Sequence, residues 1–191
     1  IPGDTIKKVN GKTMTLIEFF VHSPFKDSLV EGRAESDKNV TSIVMQVRFK
    51  KSSSDTKPSA LYLFGGDADH YIWEEIQNQS SAHNNGGKLD FDIFLAPHHC
   101  SWTYFNDVPY KKGETDEPVE SSKKLIKDHK VSGSVIIASS KQINDDDDNP
   151  PHYPAKKEYV KLIGSSDKFI SLAEEPDSKN SKPVVYEVTS S

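Results

Sequence analysis

An α/β fold with a parallel βαβαβ unit inside a mixed sheet is predicted from three features of the sequence. Short apolar runs end in turn residues, amphipathic stretches separate them, and the two alternate from residue 60 to residue 138. Met14 to Val21 (MTLIEFFV) and Thr41 to Phe49 (TSIVMQVRF) read as strands, with a polar loop from Lys26 to Asn39 between them. The Ser/Lys-rich stretch KKSSSDTKPS that follows reads as a hairpin tip. Ala60 to Phe64 (ALYLF) is a continuous apolar run closed by Gly65-Gly66-Asp67, the pattern of a buried strand ending in a tight turn.

Asp69 occupies the N-cap position of a helix over HYIWEEIQNQ, where Ile72, Trp73 and Ile76 recur at helical spacing. Leu89 to Ala96 is the next strand and runs into Pro97-His98-His99-Cys100-Ser101-Trp102. Tyr104 to Pro118 is loop-like in composition, and Glu120 to Lys130 forms an amphipathic helix on Leu125 and Ile126. Ser134 to Ala138 (SVIIA) is the third buried strand. A helix over Ala155 to Ile163 and two further strands, KFISLA and VVYEV, complete the chain, with no internal repeat. At 191 residues this is one domain, residues 1–191.

Composition narrows the function. With 28% charged and 34% hydrophobic residues the chain is globular, and no apolar run reaches the roughly 20 residues that cross a bilayer, so no membrane partner is expected. A lone cysteine, Cys100, precludes an internal disulfide and favours a cytoplasmic protein. The net charge of −5 repels polyanions at long range, although a metal site can still present local positive charge to one phosphate. The opening Ile1-Pro2-Gly3-Asp4, without an initiator Met, suggests a piece of a longer gene product.

In a parallel βαβαβ unit the functional groups gather outside the carboxyl ends of the strands. Asp67 follows the first of these strands, His98 and His99 the second, and Ser139-Ser140 the third, so one carboxylate and two imidazoles share a rim. Such a set suits zinc, manganese or iron with a position left open for water. Asp67 fits a turn-capping role equally well. In strand-like geometry His98 and His99 face opposite ways, so at most one of them ligates a metal directly. Asp145 to Asp148 lacks the Gly and Glu of a calcium loop and reads as a solvated charge run. His22, His70, His83 and His129 read as surface residues, and Trp73 and Trp102 as core or pocket wall.

The string LYLFGGDADHYIWEEI, followed by FDIFLAPHHCSW, resembles the strand, Gly-Asp, helix, strand, His-His-Gly-Ser pattern of metallo-β-lactamase-fold hydrolases, nearest to the ComEC-type competence hydrolase domain. Asn149-Pro150-Pro151-His152-Tyr153-Pro154 is similar to that family's Asn, then Gly-His-Pro segment, and DKNVTSIVMQVRF to the strand before its Gly-Asp motif. The resemblance spans roughly Glu18 to Gly164 and implies the C-terminal half of an αββα sandwich. It implies that Asp67 bridges two metal ions, zinc with manganese or iron as alternatives, and that His98 ligates one of them. Asp67 and His98 are then the catalytic and metal-binding pair, with His99, Ser101 and His152 binding substrate or supporting the ligands. Cys100 stands where the family has Gly.

The family's other metal motif, His-x-His-x-Asp-His, does not occur in this sequence. The resemblance therefore implies a metal-dependent phosphodiester or other ester hydrolase, acting on a small-molecule or nucleotide substrate, whose site is completed elsewhere. The alternative is a catalytically inactive binding or scaffolding module on the same fold. Alone, the chain is expected to be inactive. Its apolar strands exceed what its helices can cover on both sides, and several hundred Å² left bare would cost on the order of ten kcal/mol. The missing N-terminal half, or a second copy of this chain, is the expected partner on that face.

Overall fold

The computed structural model describes residues 1–26, 38–106 and 117–189. The loops expected over 26–39 and 104–118 lie largely outside these. Nine strands are present: β1 (Thr5–Ile6), β2 (Lys8–Val9), β3 (Lys12–Thr13), β4 (Ile17–Ser23), β5 (Val44–Phe49), β6 (Ala60–Phe64), β7 (Phe91–Leu95), β8 (Lys130–Ala138) and β9 (Phe169–Ser171). Among the described residues three helices longer than one turn join them: α1 (His70–Ala82), α2 (Glu120–His129) and α3 (Tyr153–Ile163). A seven-stranded mixed sheet runs in the order β1-β4-β5-β6-β7-β8-β9, antiparallel from β1 to β6 and parallel from β6 to β9. The α/β class and the parallel unit expected from the alternating pattern are present, extended by β9.

Strand register explains why these segments pair. Phe20, Gln46, Leu63, Phe94, Ile136 and Phe169 lie opposite one another across six strands, and all six are buried. This row faces the helices. Ile72, Trp73 and Ile76 of α1, Leu125 and Ile126 of α2, and Tyr159 and Leu162 of α3 pack in the same core cluster. Asp69 caps α1, its Oδ1 accepting from the Ile72 N–H at 3.1 Å. Gly164, at φ +100°, ends α3.

Gln46 is the polar member of the row. Its Nε2 donates to the Asp90 carbonyl at 2.7 Å, and its Oε1 accepts from Arg48, which in turn pairs with Glu18 at 2.9 Å. His22, expected at the surface, is instead buried at 4% exposure, with Nε2–H donating to the Lys88 carbonyl at 2.9 Å. His70 is also buried. His22 meets the loop before β7 through the Lys88 carbonyl, a contact that strand periodicity alone does not reveal.

Burial, partly offset by the bond to Lys88 and reinforced by the charges of Lys88 and His129, pulls the His22 pKa down to about 4. The folded value lies below the unfolded one, so His22 contributes stability at neutral pH that is lost as pH falls from about 6.5 towards 4. Acidification from pH 7 to 4.5 should remove roughly 2–3 kcal/mol through this group. Urea titrations of the wild type and His22→Gln across this range measure it; equal pH slopes for the two proteins would refute it.

The opposite face of the sheet is apolar as well. Phe19, Val47, Tyr62, Ile93 and Val135 form one row, and Val21, Met45, Phe64, Leu95, Ile137 and Ile170 the next. Among these, Val47 and Ile137 are buried and the others are half-buried. No helix in the described residues packs on this side. The expected strand VVYEV is not one: residues 184–188 form no ladder with the sheet, because the chain reverses after β9 and passes over this face instead of lying along an edge.

Two further departures are local. Strand β4 starts at Ile17, three residues later than its apolar run. The hairpin β2-β3 turns on Asn10-Gly11, both at positive φ, an Asn-Gly turn signal within a run of exposed residues. No helix in the described residues is long and apolar enough to cross a membrane.

Candidate functional site

The turn after β6 and the segment after β7 are built against each other. Gly65 has no room for a side chain: a Cβ there would meet Pro97 Cγ at 2.6 Å and the Leu95 carbonyl at 2.9 Å. Gly66 adopts φ +53°, and a Cβ would lie 2.8 Å from the Ile43 carbonyl. Its own carbonyl accepts the His98 N–H at 2.9 Å. The two glycines thus place the Asp67 turn directly beside the paired histidines.

The histidine segment is not strand-like. Pro97–Cys100 forms a single turn in which His98 (φ 47°, ψ 48°), His99 (φ 56°, ψ 37°) and Cys100 (φ 69°) are all left-handed. For L-residues this conformation costs roughly 1–2 kcal/mol each, so the segment stores on the order of 3–5 kcal/mol. Backbone bonds hold it: Ser101 N–H to the His98 carbonyl at 3.0 Å, and His152 N–H to the Cys100 carbonyl at 3.0 Å. The expected opposed facing of the two imidazoles rested on extended backbone, which is absent here. Cys100, at φ 69°, occupies a conformation that glycine adopts without strain and that a cysteine does not. Its thiol is buried, and burial pushes the pKa up to about 12, so it stays protonated at neutral pH.

The side chains diverge in a defined way. His99 Nδ1–H donates to the Ser139 carbonyl, at the end of β8, at 2.7 Å. That bond makes Nδ1 the donor and leaves Nε2 4.0 Å from Asp67 Oδ1. Asp67 and His99 are both about half exposed. His98 turns to the other side, with Nδ1 3.4 Å from Thr103 Oγ1.

Ser101 Oγ donates to Asn149 Oδ1 at 2.7 Å, and the same oxygen accepts from Trp102 N–H at 3.1 Å. Ser101 thus ties the histidine turn to the segment before α3. His152, buried at 1% exposure, lies against Trp102 with ring centroids 5.8 Å apart. Asn149 and Ser139 had no site role on sequence grounds; Asn149 was visible only as the first residue of a short motif, and Ser139 acts through its backbone. A cleft of about 360 Å³ opens beside His99, lined by Ser139, Ser140, Lys141, Pro150 and Pro151. Lys141 pairs there with Asp148, part of the acidic run.

Zinc places two ligands roughly 3.3 Å apart when each lies about 2.0–2.1 Å from the ion in tetrahedral geometry. Small rotations of Asp67 and His99 reach that spacing. A hydrolytic zinc takes three protein ligands, and no three His, Cys, Asp or Glu side chains among the described residues come together to hold an ion. The described residues therefore do not form a complete metal shell. Comparisons with protein-family models, curated proteins and solved structures find no match to this chain.

Proposed function

We propose that this chain carries one side of a metal-dependent hydrolase site of metallo-β-lactamase type, acting on phosphodiesters or related esters, and that a second polypeptide segment completes it. The observation that carries this reading is the facing pair at the rim. His99, with Nδ1–H held by a backbone carbonyl, places Nε2 4.0 Å from Asp67 Oδ1, so an imidazole nitrogen and a carboxylate oxygen face one another across a gap that a cation can bridge. Zinc, or manganese or iron in its place, would supply a Lewis acid and an activated water there. Asp67 and His99 would ligate it. His98 joins them in the composite site as the resemblance implies, and Ser101 and His152 brace the turn. The strained backbone at the same place supports function over packing, since such conformations persist mainly where they serve a site.

In this reading the chain is the C-terminal half of an αββα sandwich in a cytoplasmic protein, and the half-buried apolar face receives the other half or a second copy. A nucleotide-like substrate would enter the cleft beside His99, where Lys141 offers a cation. The scaffold alternative draws on the incomplete ligand set, in which case the rim binds without turnover.

The test is zinc and manganese titration of the 191-residue chain and of the longer gene product, with a bis-aryl phosphodiester assay on each. The chain alone should bind weakly and turn over nothing. The longer product should hydrolyse the ester, lose activity to chelators, and bind metal at least about tenfold more weakly after Asp67→Ala or His99→Ala. Chelator-sensitive turnover by the isolated chain, or metal binding indifferent to both substitutions, would refute the proposal.

A further inference from the structure

We propose that residues 184–188 (VVYEV) form a displaceable strap over the apolar face of the sheet, occupying the surface that the completing half needs. What the strap yields to rests on the composite-site reading; that it covers the face does not. The chain leaves β9 at Ser171, reverses over 176–181 and is pinned there by Lys182 N–H to the Glu175 carbonyl at 2.7 Å and Asn180 N–H to the Asp177 carbonyl at 3.2 Å. It then passes over the row that holds Tyr62, Ile93 and Val135, and over Ile137 of the next. A cavity of about 510 Å³ separates it from the sheet, with Tyr62, Ile93, Val135 and Ile137 below and Val184, Tyr186 and Val188 above.

The segment has the alternation of a strand but no ladder partner, and among the described residues its contacts with the sheet are made by side chains. Val185, between the contacting residues, is 76% exposed, and Tyr186 and Val188 remain 46% and 41% exposed. Burial and the neighbouring Tyr186 raise the Tyr62 phenol above its ordinary value, consistent with contact between the two rings' surroundings. A cover that leaves a cavity and, among the described residues, has no backbone bond to the sheet is held more weakly than a packed sheet. A second sheet, whose side chains would interdigitate with both rows, displaces it. The strap thus limits self-association of the open face and sets a threshold for assembly of the site.

The experiment deletes residues 183–191 and, separately, introduces Val184→Asp with Val188→Asp in the intact chain. Anilinonaphthalene sulfonate fluorescence reads exposed apolar surface, sedimentation velocity reads association, and far-ultraviolet circular dichroism verifies that the helices persist. Dye fluorescence should rise about threefold or more in both variants, with the deletion variant moving from monomer towards dimer. Should the deletion unfold the chain, the double substitution decides. Unchanged dye binding and an unchanged sedimentation coefficient in a folded variant overturn the strap, whatever the metal titrations give. A failed metal assay with a positive dye result instead removes the hydrolase reading and leaves the strap standing.

Discussion

Gly65→Ala is expected to lower the stability of the chain by about 2–4 kcal/mol and to separate the Asp67 turn from the histidine turn. The added methyl would lie 2.6 Å from Pro97 Cγ and 2.9 Å from the Leu95 carbonyl, and neither can withdraw cheaply. Pro97 is a rigid ring that begins the left-handed turn, and Leu95 is held in the ladder with β6 and β8. The contact can be relieved only by moving the β6 turn outward, which breaks the His98 N–H bond to the Gly66 carbonyl. Urea unfolding measures the loss, and chemical shifts of the His98 and His99 imidazoles report the separation. A loss below about 0.5 kcal/mol, in the range of an ordinary surface substitution, would mean that the two turns are not interlocked.

The core of this fold was legible because it obeys simple periodicity. Strands β5, β6, β7 and β8 and helices α1, α2 and α3 each carry apolar residues at the spacing their geometry demands, and Asp69 caps α1 where its side-chain chemistry placed it. The rim order of Asp67, His98-His99 and Ser139 followed from strand order alone. The left-handed turn was not legible. His98, His99 and Cys100 offer no glycine to mark positive φ, and their conformation is imposed by bonds from Gly66 and His152, distant in sequence. His22 was hidden for a related reason: its partner is a carbonyl 66 residues away. The tail VVYEV misled because alternation records which residues meet an apolar surface, and here the surface is the face of the sheet and not its edge.

The same contrast separates the two faces. Towards the helices, every member of the row from Phe20 to Phe169 is buried and the rings interlock, which fixes one arrangement. On the other side the rows are as apolar but only half-covered, so that side lacks the packing that specifies a unique partner within the chain. The strained histidine turn is held against the well-packed first face, with Cys100 and Trp102 buried in its core, and that packing offsets the cost of the strain.

Phe94→Ala should have the largest effect of any single substitution, about 3–5 kcal/mol. Phe94 is fully buried in β7 at the centre of an aromatic cluster, with ring centroids 5.3 Å from Phe91, 5.4 Å from Trp73, 5.8 Å from Tyr104 and 6.5 Å from Tyr159. Those partners come from β7 itself, α1, the segment after the histidine turn and α3, so one ring joins the sheet to two helices and to the site. Truncation removes the transfer free energy of the phenyl group and leaves a cavity lined by large rings that cannot all collapse into it. Edge-to-face contacts with Trp73 and Tyr104 add about 0.5–1.5 kcal/mol each beyond area. Phe94→Leu, which retains most of the volume, should cost only about 1–2 kcal/mol. The cavity in the alanine variant is apolar and should bind benzene or xenon, raising its thermal midpoint while leaving the wild type unchanged. Equal stabilities for the alanine and leucine variants, or no stabilisation of the alanine variant by benzene, would show that the cluster relaxes around the gap and that Phe94 does not hold it together.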